Sequence, residues 1–337
     1  MRLLMLGGTG FVGGATVSEA LDRGWSVTVF NRGRHGAPPV GVRRLVGDRL
    51  TPDGLHALAD GEWDVVVDTW DGAPRAAGQV ARLLAGRIGH YVYVSSGSVY
   101  APPVPVGVTE RDPVVEADPE ATEGDYPQLK AGAERALREV LGDRVLLARA
   151  GLILGPGEDI GRLPWWLSRI ARGDEVLAPG PADLPVQYID VRDLAAYLLD
   201  SGTARRGGAV NVVGRSGSAT FGELLAACLD ATGADARLRW VDPERILAAG
   251  VVPWNDLPIW IPPDHEWRWL QQKDVTRAYA DGLRCRPLAE TVADTWSWLR
   301  RVGQVPSRAG RPARAPVGLD PHREAALLAT LAADRPG

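Results

Sequence analysis

The chain has 337 residues, 45% hydrophobic and 24% charged, with 12 Trp and a formal charge of −4. That is about two domains' worth of core-forming material, and a near-average charged fraction excludes wholesale disorder. A pI near 5.8 provides no overall basic field, so neither nucleic acid nor a membrane is expected as a partner.

In chain order, strands are expected at about Leu3–Leu6, Ser26–Phe30, Arg43–Val46, Asp64–Asp68, Tyr91–Val94 and Val145–Arg149. Helical patterns lie between them at about Phe11–Arg23, Arg75–Ala85 and Pro127–Leu141. Most of the strands are continuous apolar runs, as in a parallel sheet covered on both faces. Strand–helix alternation over this length predicts an α/β fold with a Rossmann-type, doubly wound parallel sheet.

The second half has a different texture. Helices are expected at about Leu163–Arg172, Val191–Leu199, Phe221–Thr232 and Leu288–Arg301, with short strands at Val186–Ile189, Val210–Val213 and Arg237–Val241. Nine of the Trp follow residue 160. Residues 1–160, with returning segments near 186–213, form the expected dinucleotide-binding domain. Residues 161–185 and 214–306 form a smaller, Trp-rich substrate domain, and 307–337 a linker and terminal helix near Glu324–Ala333. Arg300, Arg301, Arg308, Arg311 and Arg314 make a basic stretch best read as solvated linker.

Cys228 and Cys285 are too few for a disulfide framework, and the five His have no metal-ligand spacing, so no metal site is expected. No apolar run approaches the ~20 residues that span a bilayer, and a cytoplasmic location is the expectation.

The first strand runs into Gly7-Gly8-Thr9-Gly10-Phe11-Val12-Gly13, and G-x-x-G-x-x-G then opens a helix. Small residues are required here because the backbone must approach a pyrophosphate and the helix must pack closely on the strand. Free N–H groups and the positive helix end hold the anion. The second strand ends in Asn31-Arg32-Gly33-Arg34, where an NAD-selective site usually carries an acid for the ribose 2′-OH. Neutral Asn31 with Arg32 and Arg34 points to NADP(H), with NAD(H) the alternative. Asp48 is placed either to accept from the adenine amino group or to close a turn.

The fifth strand ends in Ser95-Ser96-Gly97-Ser98, and Tyr126 is followed four residues later by Lys130. The pair shares one helix face, and about 0.04 such pairs would arise by chance, because the chain holds only two Lys beside 36 Arg. A free Tyr titrates near 10, and a nearby ammonium lowers that value toward a useful range. Lys also offers the ribose hydroxyls a compact three-donor group that planar Arg does not. Ser96 is the candidate partner for the substrate oxygen. Lys273, the other lysine, reads as a surface residue.

These motifs, together with Arg149, Gly155-Pro156 and Val186-Gln187-Tyr188-Ile189-Asp190, resemble the extended, epimerase/dehydratase-like branch of the short-chain dehydrogenase/reductase family over about residues 1–300. The resemblance implies a Ser/Tyr/Lys triad at Ser96, Tyr126 and Lys130, and homodimers through the helix bearing Tyr126. Cofactor contacts are expected from Gly7, Thr9, Gly10, Phe11, Val12, Gly13, Asn31, Arg32, Arg34, Asp48, Thr69, Trp70, Ser95, Tyr126, Lys130 and Gly151. Substrate contacts are expected from Ser98, Trp165 and Trp166, the last two as lid residues. Sugar dehydratases carry an Asp-Glu pair where this chain has Gly97-Ser98, and nucleotide-sugar epimerases commonly place an Arg where it has Val186. The first departure argues against the elimination chemistry of the dehydratases, the second against a nucleotide-sugar substrate. The leading expectation is an NADP(H)-dependent carbonyl reductase or alcohol dehydrogenase acting on a small or natural-product-like molecule. The alternatives are a redox-neutral NAD-dependent epimerase of a sugar or polyol, and a non-catalytic dinucleotide-binding protein that contacts RNA or protein.

Overall fold

The computed structural model describes residues 1–34, 38–305 and 317–333, with the side chains of 331–333 outside the description. Arg308, Arg311 and Arg314 lie outside the described residues, whereas Arg300 and Arg301 are exposed in the last turn of the helix Leu288–Val302. The chain divides into two compact units. The first comprises Met1–Ile153, Ile189–Gly214 and Lys273–Cys285. The second comprises Leu154–Tyr188, Arg215–Gln272 and Arg286–Gly337.

The first unit is a seven-stranded parallel sheet. Its strands β1 (Arg2–Leu6), β2 (Ser26–Asn31), β3 (Arg43–Val46), β4 (Trp63–Asp68), β5 (Ile88–Ser96) and β6 (Val145–Ala150) are joined by Gly208–Val212 at the edge. The spatial order is Gly208–Val212, β6, β5, β4, β1, β2, β3. The order reverses between β1 and β4, and in open α/β sheets ligands bind in the crevice at such a switch point. Helices α1 (Phe11–Asp22), α2 (Pro74–Leu84) and α3 (Tyr126–Leu141) alternate with the strands, as the sequence pattern predicts.

Both faces of the sheet are dry. Leu3, Met5, Val65, Val67, Val92 and Leu146 belong to one core cluster, and Leu4, Leu6, Val66, Tyr91, Tyr93 and Leu147 to the other. Residues adjacent in a strand point to opposite faces, so continuous apolar runs are what a doubly covered sheet demands. The strand expected at Val186–Ile189 forms instead at Tyr188–Asp190. The Val186 amide donates to Ala219 O and the Gln187 amide to the Gln271 side chain, so neither joins a ladder there.

One return to the first unit lies outside the segments expected from sequence. Residues Lys273–Cys285 contribute Val275, Ala278 and Leu283 to the core cluster that contains Leu3 and Met5. In the second unit, Asp174–Pro179 pairs in parallel with Ala236–Val241, and the helices Arg162–Ala171, Phe221–Thr232 and Leu288–Val302 pack together. No described helix is long and apolar enough to cross a membrane.

Candidate active site

The glycine loop has the geometry of an anion cradle. Gly7 stands at φ +117°, a conformation L side chains rarely adopt, and a Cβ there would meet Thr69 Oγ1 at 2.7 Å. A Cβ at Gly13 would come within 2.7 Å of the Gly8 amide nitrogen, so this glycine lets α1 press onto the loop. Gly10, by contrast, has no atom within 4 Å of where its Cβ would be. It caps α1 without a side-chain hydrogen bond, and no acidic residue occupies the first turn. Open space in front of a helix N-terminus with free amides fits a dinucleotide pyrophosphate.

Around this cradle the expected cofactor positions divide. Thr9 and Gly10 are exposed, with Phe11 and Val12 half-buried, and Thr69 donates to Leu6 O. Asn31 is occupied with structure: its amide donates to Gly7 O at 3.3 Å and its oxygen accepts from the Gly33 amide at 2.9 Å. Arg32 and Arg34 are exposed at that strand end, and the Arg44 guanidinium lies against Gly33. Asp48 Oδ1 accepts from the Leu50 amide, which is the turn role. Gly151 donates to Val212 O, and a Cβ there would strike Val213.

Ser95 differs from the expectation of a cofactor contact. It is buried, and its hydroxyl donates to Glu134 Oε1 at 2.6 Å. Glu134 in turn receives Arg149 through two bonds of 3.1 and 2.8 Å. β5 alternates faces, so one serine anchors α3 while the next, Ser96, is half-exposed at the sheet's carboxyl end.

Ser96 Oγ accepts from the Ser98 amide at 3.2 Å and bonds the Ser98 hydroxyl at 2.9 Å, closing a tight turn. Tyr126 opens α3 and is 44% exposed, one turn before Lys130, which is 3% exposed. The Asp125 amide donates to the Gln128 side chain and fixes that helix start. Lys130 Nζ donates to Trp70 O at 2.6 Å and Val94 O at 2.7 Å, and lies 4.7 Å from the Tyr93 ring centroid. Trp70 is thus held from three directions, with Tyr93 OH also donating to its carbonyl and its indole N–H donating to Ala73 O. Arg49 stacks on the Trp70 ring and pairs with buried Asp68, which also accepts from Tyr91 OH.

Two residue assignments expected from the sequence are corrected by the packing. Trp166 is a core residue: it is fully buried, its indole N–H donates to Pro258 O at 2.7 Å, and its ring meets Phe221 edge-on. Its neighbour Trp165 packs edge-on against it, and a Cβ at Gly318 would clash with that indole. Such packing suits a core more than a lid. Lys273 is not at the surface. It is 4% exposed, and its Cε lies 2.6 Å from where a Cβ at Gly97 would stand. No signal local to residue 273 marks that placement. Among the described residues no group of His, Cys, Asp or Glu is arranged to hold a metal.

The model of the NAD dependent epimerase/dehydratase family matches residues 76–212, from within α2 through β5, α3 and β6 to the end of the edge strand. Over those residues the chain is similar to the NAD-dependent epimerase/dehydratase family. No curated protein matches the chain. Solved structures similar to it include a protein from Burkholderia cenocepacia J2315 assigned as an epimerase, at 21% identity and TM-score 0.68, covering 89% of this chain and 98% of that one. UDP-glucuronic acid 4-epimerase from Bacillus cereus, in complex with NAD, aligns at 12% identity and TM-score 0.64, over 89% and 97% of the two chains. UDP-glucose 4-epimerase from Thermus thermophilus, also with NAD, aligns at 20% identity and TM-score 0.59, over 89% and 99%. At these identities the likeness is one of fold.

Proposed function

We propose that this protein is an NAD-dependent epimerase of a sugar or polyol, working through Ser96, Tyr126 and Lys130. The observation that carries the reading is the convergence of three features on the carboxyl edge of the sheet: the open Gly10 cradle, the Ser96–Ser98 turn, and Tyr126 one helical turn from buried Lys130. The family match and the two NAD-bound 4-epimerases favour this reading over the carbonyl reductase expected from the sequence. Val186 is fully buried where a diphosphate-pairing arginine would stand, which supports a substrate other than a nucleotide sugar.

A bound nicotinamide supplies the hydride chemistry. On this reading Gly7, Gly10 and Gly13 admit the pyrophosphate, and Lys130 holds the ribose hydroxyls. Ser96 orients the reacting hydroxyl, and Tyr126 removes its proton as the carbinol is oxidised. Tyr126 then returns that proton when the carbonyl is reduced on its other face, so the cycle is redox-neutral.

A second reading, an NADP(H)-dependent carbonyl reductase, is favoured by one observation: β2 ends without a carboxylate and with Arg32 and Arg34 exposed. The nucleotide released by denaturing the purified protein separates the two. Bound NAD that does not exchange with added nucleotide is expected of the epimerase. An empty protein that takes NADPH in preference to NADH would overturn it in favour of the reductase. A panel of sugars, polyols and ketones, followed for exchange of the carbinol hydrogen, then tests turnover.

A further inference from the structure

The chain keeps only two lysines among 38 basic residues, and both are buried in the first unit at the same strand end. Lys130 bonds the carbonyl of Val94, near the end of β5. Lys273, far along the chain, passes over Gly97, the residue that follows β5. The steric record of that passage is sharp. A Cβ at position 97 would lie 2.6 Å from Lys273 Cε and 3.5 Å from its Nζ. Gly97 separates Ser96 from Ser98, whose hydroxyls bond each other. The amine therefore arrives at the turn that presents the candidate substrate hydroxyls.

We propose that Lys273 is a second functional lysine of this site, a substrate-binding residue whose amine donates to a substrate oxygen held at the Ser96–Gly97–Ser98 turn. The proposal rests on the epimerase reading and adds to it a residue that none of the short motifs contains. A secondary alcohol with a neighbouring hydroxyl or carbonyl is the substrate chemistry it fits: Ser96 takes the reacting oxygen, and Lys273 the adjacent one. Lysine suits the place for two reasons. Its stem is slender enough to cross a glycine, whereas a guanidinium is broad and planar. Burial pushes its amine down to about 7. It can therefore stand in a dry site without the full cost of a fixed charge, which Arg cannot avoid.

The test uses the full chain loaded with NAD and the sugar and polyol panel. Wild type identifies a substrate; Lys273→Met, which keeps the stem and removes the amine, is then compared on it. The expected result is a KM raised by about tenfold or more, with NAD affinity held near wild type and a melting temperature no lower than wild type. A KM within about twofold of wild type would show that Lys273 only packs the turn, and would overturn the proposal while leaving the epimerase reading intact. Should Lys273→Met unfold, Gly97→Ala decides, because its methyl displaces the amine without deleting it; the same rise is expected and the same unchanged KM overturns. If wild type turns over no member of the panel, the epimerase reading falls and this proposal with it.

Discussion

Glu134 of α3 and Arg149 of β6 face each other as a buried ion pair joined by two hydrogen bonds, and the same carboxylate accepts the hydroxyl of Ser95 on β5. One side chain thus ties the helix that carries Tyr126 and Lys130 to the strand that ends in Ser96. Arg149 also lies 5.0 Å from the Tyr100 ring centroid, and Tyr100 OH donates to Asn211 on the edge strand. The network ties together, from within the core, the elements that carry the proposed catalytic groups.

Breaking that pair should cost stability first. Glu134→Gln leaves a guanidinium buried against a neutral amide, and removal of one partner of a buried pair costs about 3–5 kcal/mol. Urea unfolding is expected to show a loss of that order. A midpoint unchanged from wild type would mean that Arg149 finds another acceptor.

The glycine loop gives a matched pair of variants. Gly13→Ala places a methyl against the Gly8 amide, and should weaken NAD binding by about tenfold or more. Gly14→Ala has open space around it and sits in the same helix. It should leave binding unchanged and add up to about 1 kcal/mol of stability. Fluorescence titration and thermal melts read both.

Lys130→Arg keeps the charge and should still lose activity. The pocket closes on Nζ with two carbonyl acceptors at 2.6 and 2.7 Å, and a planar fork cannot occupy that place without moving Trp70 or Val94. A fall in kcat of about 100-fold is expected, measured on the substrate found with wild type. Retention of wild-type kcat would remove Lys130 from the mechanism.

Two buried groups set an unusual pH dependence of stability. Glu158 accepts from the Arg162 and Leu163 amides, yet burial outweighs those bonds and lifts its carboxyl to about 7. Its folded form binds more protons than its unfolded form, so its contribution is complete below about pH 4.5 and is lost as pH rises through 7. Lys273 has the opposite sign. Its lowered value makes its contribution complete above about pH 10.5, and that contribution is lost as pH falls through 7. The effects are on the order of 3 kcal/mol for Glu158 and 5 kcal/mol for Lys273, so together they place a minimum near neutrality. Denaturant titrations across pH should show Glu158→Gln flattening the acid side and Lys273→Met the alkaline side; parallel curves for wild type and both variants would contradict this.

Much of the sheet, and the placement of part of the candidate site, could be read from the chain because the determinants are local. A glycine loop between a strand and a helix, or Tyr126 one helical turn before Lys130, is written in consecutive residues and acts over one or two turns. Hydrophobic runs located β1 to β6 to within about three residues for the same reason. Asn31 shows the limit even of local reading. The missing carboxylate was visible, but the bonds of the amide to Gly7 and Gly33 depend on how β1 and β2 lie side by side.

Composition singled out the two lysines of an arginine-rich chain, and spacing assigned one of them. The other was decided by tertiary structure alone. Whether a lysine at 273 meets solvent or a glycine at 97 depends on the segment Lys273–Cys285 returning to the first unit, where Val275, Ala278 and Leu283 enter its core. That return is driven by burial of apolar side chains, a non-directional force that leaves no short-range pattern to mark which distant strand end will receive it. The same force turned Trp166 into core, while Ser95 became an anchor through its hydrogen bond to Glu134 of α3. Local spacing set the glycine loop and the Tyr126–Lys130 pair; the packing of segments far apart in the chain chose what stands beside them.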